Sequence, residues 1–106
     1  MKLLFICSRN QWRSPTCEQI YKNHPEHEVR SAGTAPGARI KINAKSLLWA
    51  DIIFVMEKKH KQRLIASFPN QAEAAKIVIL NIEDNYLFMD PELVEMIRIS
   101  VNPYLN

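Results

Sequence analysis

Apolar positions along the chain gather in short unbroken runs, set between longer stretches where they recur at helical spacing. Lys2–Cys7, Ile52–Met56 and Ile77–Leu80 are the clearest runs. Runs of this length predict strands covered on both faces. Glu28–Ala32 is a weaker strand that ends at Gly33, and Thr34-Ala35-Pro36-Gly37 is punctuation. Between the strands the period changes. Ser14-Pro15 pairs a capping hydroxyl with a proline at the first helical position. Cys17, Ile20 and Tyr21 then share a face, which predicts a helix to about His24-Pro25, where proline stops it. Asn43 caps a short helix carrying Leu47, Leu48 and Trp49, with Trp49 expected in the core. Glu57 to Phe68 places Leu64, Ile65 and Phe68 on one side and Lys58, Lys59, Lys61 and Arg63 on the other, an amphipathic helix with a solvated basic face. Pro69-Asn70 ends it. The last helix starts at Asp90-Pro91 and is expected to bury Leu93, Val94, Ile97 and Val101.

Strand and helix therefore alternate four times. That order predicts an α/β fold of three αβα layers, with a four-stranded parallel sheet between helices. No repeat, low-complexity stretch or linker interrupts it, so residues 1–106 read as a single domain.

Composition refines this picture only slightly. The chain is 47% hydrophobic, enough for a core, and carries a formal charge of +3. A pI of about 9.0 suits phosphorylated or acidic ligands, and nucleic-acid binding is not indicated by it. Two cysteines, Cys7 and Cys17, without a wider framework point to a reducing compartment. Leu3–Ile6 is too short for a signal segment or a membrane span, so a cytoplasmic protein with no membrane partner is expected. Oligomeric state is not specified by any feature. His24 and His27 have a metal-like spacing but no third ligand, and a solvated helix end is the expectation there. No metal or cofactor is called for.

The chemistry concentrates just after the first strand. Five residues separate Cys7 from Arg13, in the stretch Cys7-Ser8-Arg9-Asn10-Gln11-Trp12-Arg13-Ser14. In open α/β sheets ligands sit beyond the carboxyl ends of strands, which is where this loop falls. A loop that curls there can aim its amides, the free N–H groups of the following helix and a guanidinium fork at one phosphate. A helix N-terminus and a nearby arginine also favour the thiolate form of a cysteine. Ser14 can donate to that thiolate, and Asn10 is a residue type that tolerates a left-handed turn. A buried cysteine acting as a small hydrophobe is the plain alternative.

The chain resembles the low-molecular-weight protein tyrosine phosphatases, whose loop reads Cys, any residue, Gly-Asn, any residue, Cys-Arg-Ser-Pro. Cys7, Asn10, Arg13, Ser14 and Pro15 match it. The likeness continues through Ser31-Ala32-Gly33-Thr34, Ala50–Glu57 and Ile82-Glu83-Asp84, in order along most of the chain. It implies a sheet in the order 2-1-3-4. It also implies a phosphomonoester hydrolase whose substrate is a phosphotyrosine protein or another phosphomonoester, acting through a cysteinyl-phosphate without cofactor. There are departures. Arg9 stands in place of the family's loop glycine and Trp12 in place of its second loop cysteine, and the segment between Gly33 and Asp51 is shorter. Cys17 lies in the helix, where pairing with Cys7 would require distortion.

A leaving oxygen needs a proton, usually from a carboxylic acid. Asp84, past the third unbroken run and followed by Asn85-Tyr86, matches the family's acid loop in position and is taken as the acid. Asp90 is the alternative, although Asp90-Pro91-Glu92 reads as a helix start. Ser8, Arg9, Asn10, Gln11, Trp12, Arg13 and Ser14 are the phosphate-binding set. Trp12 and Tyr86 are the expected substrate rim. Rival readings are a non-catalytic phosphate-binding module and a phosphatase acting on a nucleotide, a nucleic-acid end or a small phosphoester. Arsenate reduction ranks lower, because no cysteine follows Cys17 to resolve an oxidised intermediate.

Overall fold

A computed structural model describes residues 1–105. Strands β1 (Lys2–Cys7), β2 (Glu28–Gly33), β3 (Ile52–Val55) and β4 (Ile77–Ile79) form a parallel sheet in the order β2-β1-β3-β4. The helices are α1 (Arg13–Tyr21), α2 (Ala44–Trp49), α3 (Lys58–Ser67), α4 (Pro69–Ala74) and α5 (Pro91–Val101), followed by a 3-10 turn at Asn102–Tyr104. The expected fold class and strand order are both present.

Alternation along the strands sorts the core into two halves. Leu3, Phe5 and Cys7 join Ile52, Phe54 and Met56 on the face covered by Cys17 and Tyr21 of α1 and by Leu93, Ile97 and Val101 of α5. Leu4, Ile6, Ile53 and Val55 face Leu47 of α2, Leu64 of α3 and Ala72 of α4. Phe5 anchors the first half, stacked on Tyr21 and Phe54 at ring separations of 5.9 and 5.1 Å. Burial of a side chain of this size stabilises the fold by roughly 2–3 kcal/mol. Cys7 thus belongs to the α1/α5 face, at the last pair of the β1–β2 register opposite Gly33.

Several boundaries differ from the sequence reading, each for a local reason. Ser14 is not an N-cap: α1 already begins at Arg13 with Trp12 in the cap position, because the Ser14 hydroxyl is engaged inside the loop. Helix α1 ends at Tyr21, before Pro25, and the Tyr21 carbonyl is taken by the His24 N–H. Pro69-Asn70 ends α3 but also starts α4, with proline at the first helical position, where no N–H is needed. Ile65 is exposed and Val94 only half-buried. Trp49 is half-buried, with the Arg30 guanidinium 4.2 Å above its ring. Among the described residues no helix is long and apolar enough to cross a membrane.

Strand order sets the site. From β1 the chain crosses to β2 on one side and later to β3 on the other, so the ends of β1 and β3 lie together at the switch point. The Met56 N–H donates to the Ile6 carbonyl at 3.0 Å, and the Ile82 N–H to the Met56 carbonyl at 2.9 Å. The segments following β1, β3 and β4 therefore converge at one edge.

Candidate active site

Residues Ser8 to Trp12 turn from β1 into α1, and their backbone N–H groups have no partner among the described residues. The turn depends on Asn10, the buried residue at φ 57°. Asparagine enters this left-handed region more readily than other side-chain-bearing residues. Its Nδ2 donates to Ser14 Oγ at 2.8 Å and to Ser31 Oγ at 2.9 Å, and Ser31 Oγ donates to Glu18 Oε1 at 2.5 Å. The loop is fastened to the turn after β2 as well. Ser8 O accepts from the Ala35 N–H at 2.8 Å, and Arg9 O from the Arg39 N–H at 3.0 Å. Asn10 O accepts from Arg39 Nε at 3.1 Å.

Gly33 permits this closeness. A Cβ there would stand 2.5 Å from Ser8 O, 2.7 Å from Ala38 Cβ and 3.0 Å from Asn10 N. No glycine in the chain has positive φ, so space rather than backbone freedom is what position 33 requires.

Cys7 Sγ lies 3.0 Å from Ser14 Oγ. That hydroxyl already accepts from Asn10, so its own hydrogen is left for an acceptor: Cys7 Sγ at 3.0 Å or the Ala32 carbonyl at 3.4 Å. Arg13 is 1% exposed. Its Nη1 donates to Glu57 Oε2 at 2.6 Å and to the Ile82 carbonyl at 2.8 Å. Its Nε is buried without a hydrogen-bond partner and faces Asp84 Oδ1 at 3.5 Å. Burial raises the Glu57 carboxyl's pKa, but the hydrogen bond and charge of Arg13 outweigh it, helped by Lys59 and His60. The net result lies below the usual value.

These groups surround a cavity of about 240 Å³ lined by Cys7, Arg9, Gln11, Trp12, Arg13 and Asp84. It is smaller than the roughly 300–1,000 Å³ of sites for drug-sized molecules, and its lining is strongly polar. Two arginines and one carboxylate give it a positive balance. The chemistry it offers is capture of a small anion against a sulfur, with one carboxyl at the rim.

Asp84 is at that rim and Asp90 is not. Asp90 Oδ1 accepts the Glu92 N–H at 2.9 Å and caps α5. Tyr86 also lies outside the lining, half-buried against the α1/α5 half of the core. Trp12 also lines an adjoining groove of about 540 Å³, together with Phe88, Gln11, Pro15, Lys22 and Arg39. Phe88 precedes Met89, whose N–H donates to Thr16 Oγ1 at 2.9 Å, while Thr16 Oγ1 donates to the Trp12 carbonyl at 2.6 Å. Cys17 is buried and unpaired. Burial, and then the charge of Cys7, push its thiol well above the ordinary value, so it stays protonated.

Two residues not among the sequence-predicted site residues also touch the loop: Glu57 contacts Arg13 and His60 contacts Ser8. Both sit at the start of α3, with His60 fully buried among basic neighbours. Their spacing is that of a capping box, and this was the available signal. His24 and His27 pack ring to ring at 4.3 Å. Among the described residues no group of three or more His, Cys, Asp or Glu is arranged to hold a metal.

No protein-family model and no curated protein matches the chain by sequence. Solved structures do match in fold. A low-molecular-weight protein tyrosine phosphatase of Streptococcus pyogenes is 18% identical with a TM-score of 0.81, over 98% of this chain and 90% of that one. That of T. tengcongensis is 22% identical with a TM-score of 0.76, over 97% and 99%. The arginine phosphatase YwlE of Geobacillus stearothermophilus is 20% identical with a TM-score of 0.71, over 98% and 93%.

Proposed function

We propose that this chain, which has the fold of the low-molecular-weight protein tyrosine phosphatases, is a cysteine-dependent phosphatase working through a cysteinyl-phosphate. The observation that carries the reading is the meeting of Cys7, the buried unpartnered Nε of Arg13 and the Asp84 carboxyl around one small cavity.

In the proposed reaction the phosphoryl group enters above Cys7. Its three equatorial oxygens are held by the loop amides from Ser8 to Trp12 and by Arg13, donors aimed where charge is greatest in the transition state. The Cys7 thiolate, supported by Ser14, attacks phosphorus in line as the bond to the leaving oxygen breaks. Asp84 gives that oxygen its proton. In the second half the Asp84 carboxylate takes a proton from water. The water oxygen attacks phosphorus, the S–P bond breaks, and inorganic phosphate leaves with the Cys7 thiolate restored.

The loop fastenings suit this work because donors already in place need not reorganise as the reaction proceeds. Arg13, which lines the cavity, is held at Nη1 by Glu57 and the Ile82 carbonyl, and its Nε is left without a hydrogen-bond partner. The substrate class expected from the resemblance is a phosphorylated protein side chain, tyrosine first. The test is hydrolysis of a generic aryl phosphate across pH about 5 to 8. Release of phosphate by the wild type and its loss in Cys7→Ser support the reading. No release from folded wild type anywhere in that range defeats it.

A further inference from the structure

Glu57 and His60 close the start of α3 with a reciprocal cap. The Glu57 carboxylate accepts the His60 backbone N–H, and His60 Nδ1 accepts the Glu57 backbone N–H at 3.0 Å. The third helical position of such a box ordinarily carries Glu or Gln. Histidine brings a second ring nitrogen that also has to be placed. A backbone N–H can only donate, so Nδ1 bears no proton, and the neutral ring carries its hydrogen on Nε2. Nε2 lies 2.8 Å from Ser8 Oγ, so the ring donates to that hydroxyl. Burial first, and then the charge of Arg13, hold the His60 pKa down at about 4, which keeps the bond in this direction across neutral pH.

The same cap thus touches both ends of the phosphate loop. Glu57 Oε2 holds Arg13 at its far end, and His60 holds Ser8 at its near end. The loop's backbone fastenings, from Ala35 and Arg39, all come from the β2 side. Ser8 Oγ has no other partner among the described residues. A glutamate at position 60 would close the cap but, when ionised, could not donate to Ser8. The imidazole does both.

We infer that His60 is a positioning residue: its Nε2–H fixes Ser8 and, together with Glu57 on Arg13, makes the first turn of α3 the clamp that sets the spacing of the phosphate loop. Its effect on turnover rests on the phosphatase reading, whereas its effect on phosphate binding does not.

Asparagine at position 60 can accept the Glu57 N–H and keep the cap, but is too short to reach Ser8. Glutamine extends far enough to donate to Ser8. The experiment measures Tm, the Kd for inorganic phosphate, and kcat and KM on an aryl phosphate for wild type, His60→Asn, His60→Gln, Ser8→Ala and the double variant His60→Asn/Ser8→Ala. His60→Asn is expected to keep a Tm near wild type, weaken phosphate binding about tenfold and lower kcat by a similar factor, with a smaller change in KM. His60→Gln should return both to within about threefold of wild type. Ser8→Ala should reproduce the His60→Asn loss, and combining the two should add little, because both remove one bond. The inference is overturned if His60→Asn binds phosphate like wild type, if the losses follow Tm across the variants, or if the two substitutions are additive. A wild type that binds phosphate but releases none from the ester defeats the phosphatase reading alone, and Kd then decides the role of His60. A wild type that does not bind phosphate overturns both.

Discussion

Arg13 and Glu57, separated by 44 positions, are joined by a 2.6 Å hydrogen bond between a guanidinium that is 1% exposed and a carboxylate that is 28% exposed. Charge-assisted bonds of this length are among the stronger polar contacts in proteins. Removing the charge from one side leaves a buried guanidinium poorly compensated. Glu57→Gln is therefore expected to lower stability by about 1–3 kcal/mol in urea unfolding and to weaken inorganic phosphate binding. Lys59, 3.7 Å from the same carboxylate but 56% exposed, is the control. Lys59→Ala should change stability by less than about 1 kcal/mol, because solvent screens that pair. Equal effects from the two substitutions would contradict this account of Arg13.

Gly33 and Gly37 offer a second contrast. A methyl group at position 33 meets backbone at 2.5 Å, whereas at position 37 nothing lies within 4 Å. Gly33→Ala should cost about 1–3 kcal/mol and displace the loop, with phosphate binding reduced. Gly37→Ala should be neutral or stabilising by up to about 1 kcal/mol, through the unfolded chain. Thermal unfolding and phosphate titration check both, and an unperturbed Gly33→Ala protein would contradict the close approach.

The two late aspartates should separate cleanly. Asp84→Asn is expected to reduce turnover of an ester with a poor leaving group by about 10²- to 10⁴-fold, with little change in Tm. Asp90→Ala should keep turnover and lose about 1 kcal/mol of helix capping. The reverse pattern in steady-state kinetics would move the acid role to Asp90.

The strands could be read because Leu3–Cys7 and Ile52–Met56 must be apolar on both faces of a covered sheet. The Cys7–Arg13 spacing and the helix start after it pointed to the loop for the same kind of local reason. Asp90 could be read as a cap from Asp-Pro-Glu alone. The contributions of Glu57 and His60 could not, since they depend on β3 lying beside β1, a pairing across about half the chain. The groove that Trp12 shares with Phe88 is not legible in the sequence: the turn at Met89, with φ 61°, and its bond to Thr16 set that loop's path. Ser14 has the local pattern of a cap, a hydroxyl before proline. The sulfur of Cys7 and the amide of Asn10 engage it instead.

Acid should weaken the fold in a window set by His60. Its pKa is about 4 in the folded protein and near 6.5 when unfolded, so below 6.5 the unfolded chain binds the extra proton and stability falls as pH drops. The loss is complete once pH passes the folded value. Arg13, Lys59 and Arg63 disfavour the charged ring and Glu57 favours it, after burial as the main cause. Between pH about 7 and 4.5 the wild type should lose about 2–3 kcal/mol that His60→Asn does not. Urea unfolding of both at the two pH values measures it. A His60→Asn protein with the same pH dependence as wild type would show that His60 titrates normally.

The proposed reaction passes through a phosphoryl group carried on Cys7. Acid quenching during turnover of an aryl phosphate, followed by mass analysis of the peptide from the β1 end, would capture that intermediate. Phosphate is expected on Cys7 in the wild type, more of it in Asp84→Asn with an activated ester whose leaving group needs no proton, and none on Cys17. Steady turnover with no phosphorylated Cys7 at any quench time, or turnover retained by Cys7→Ser, would contradict the proposed reaction.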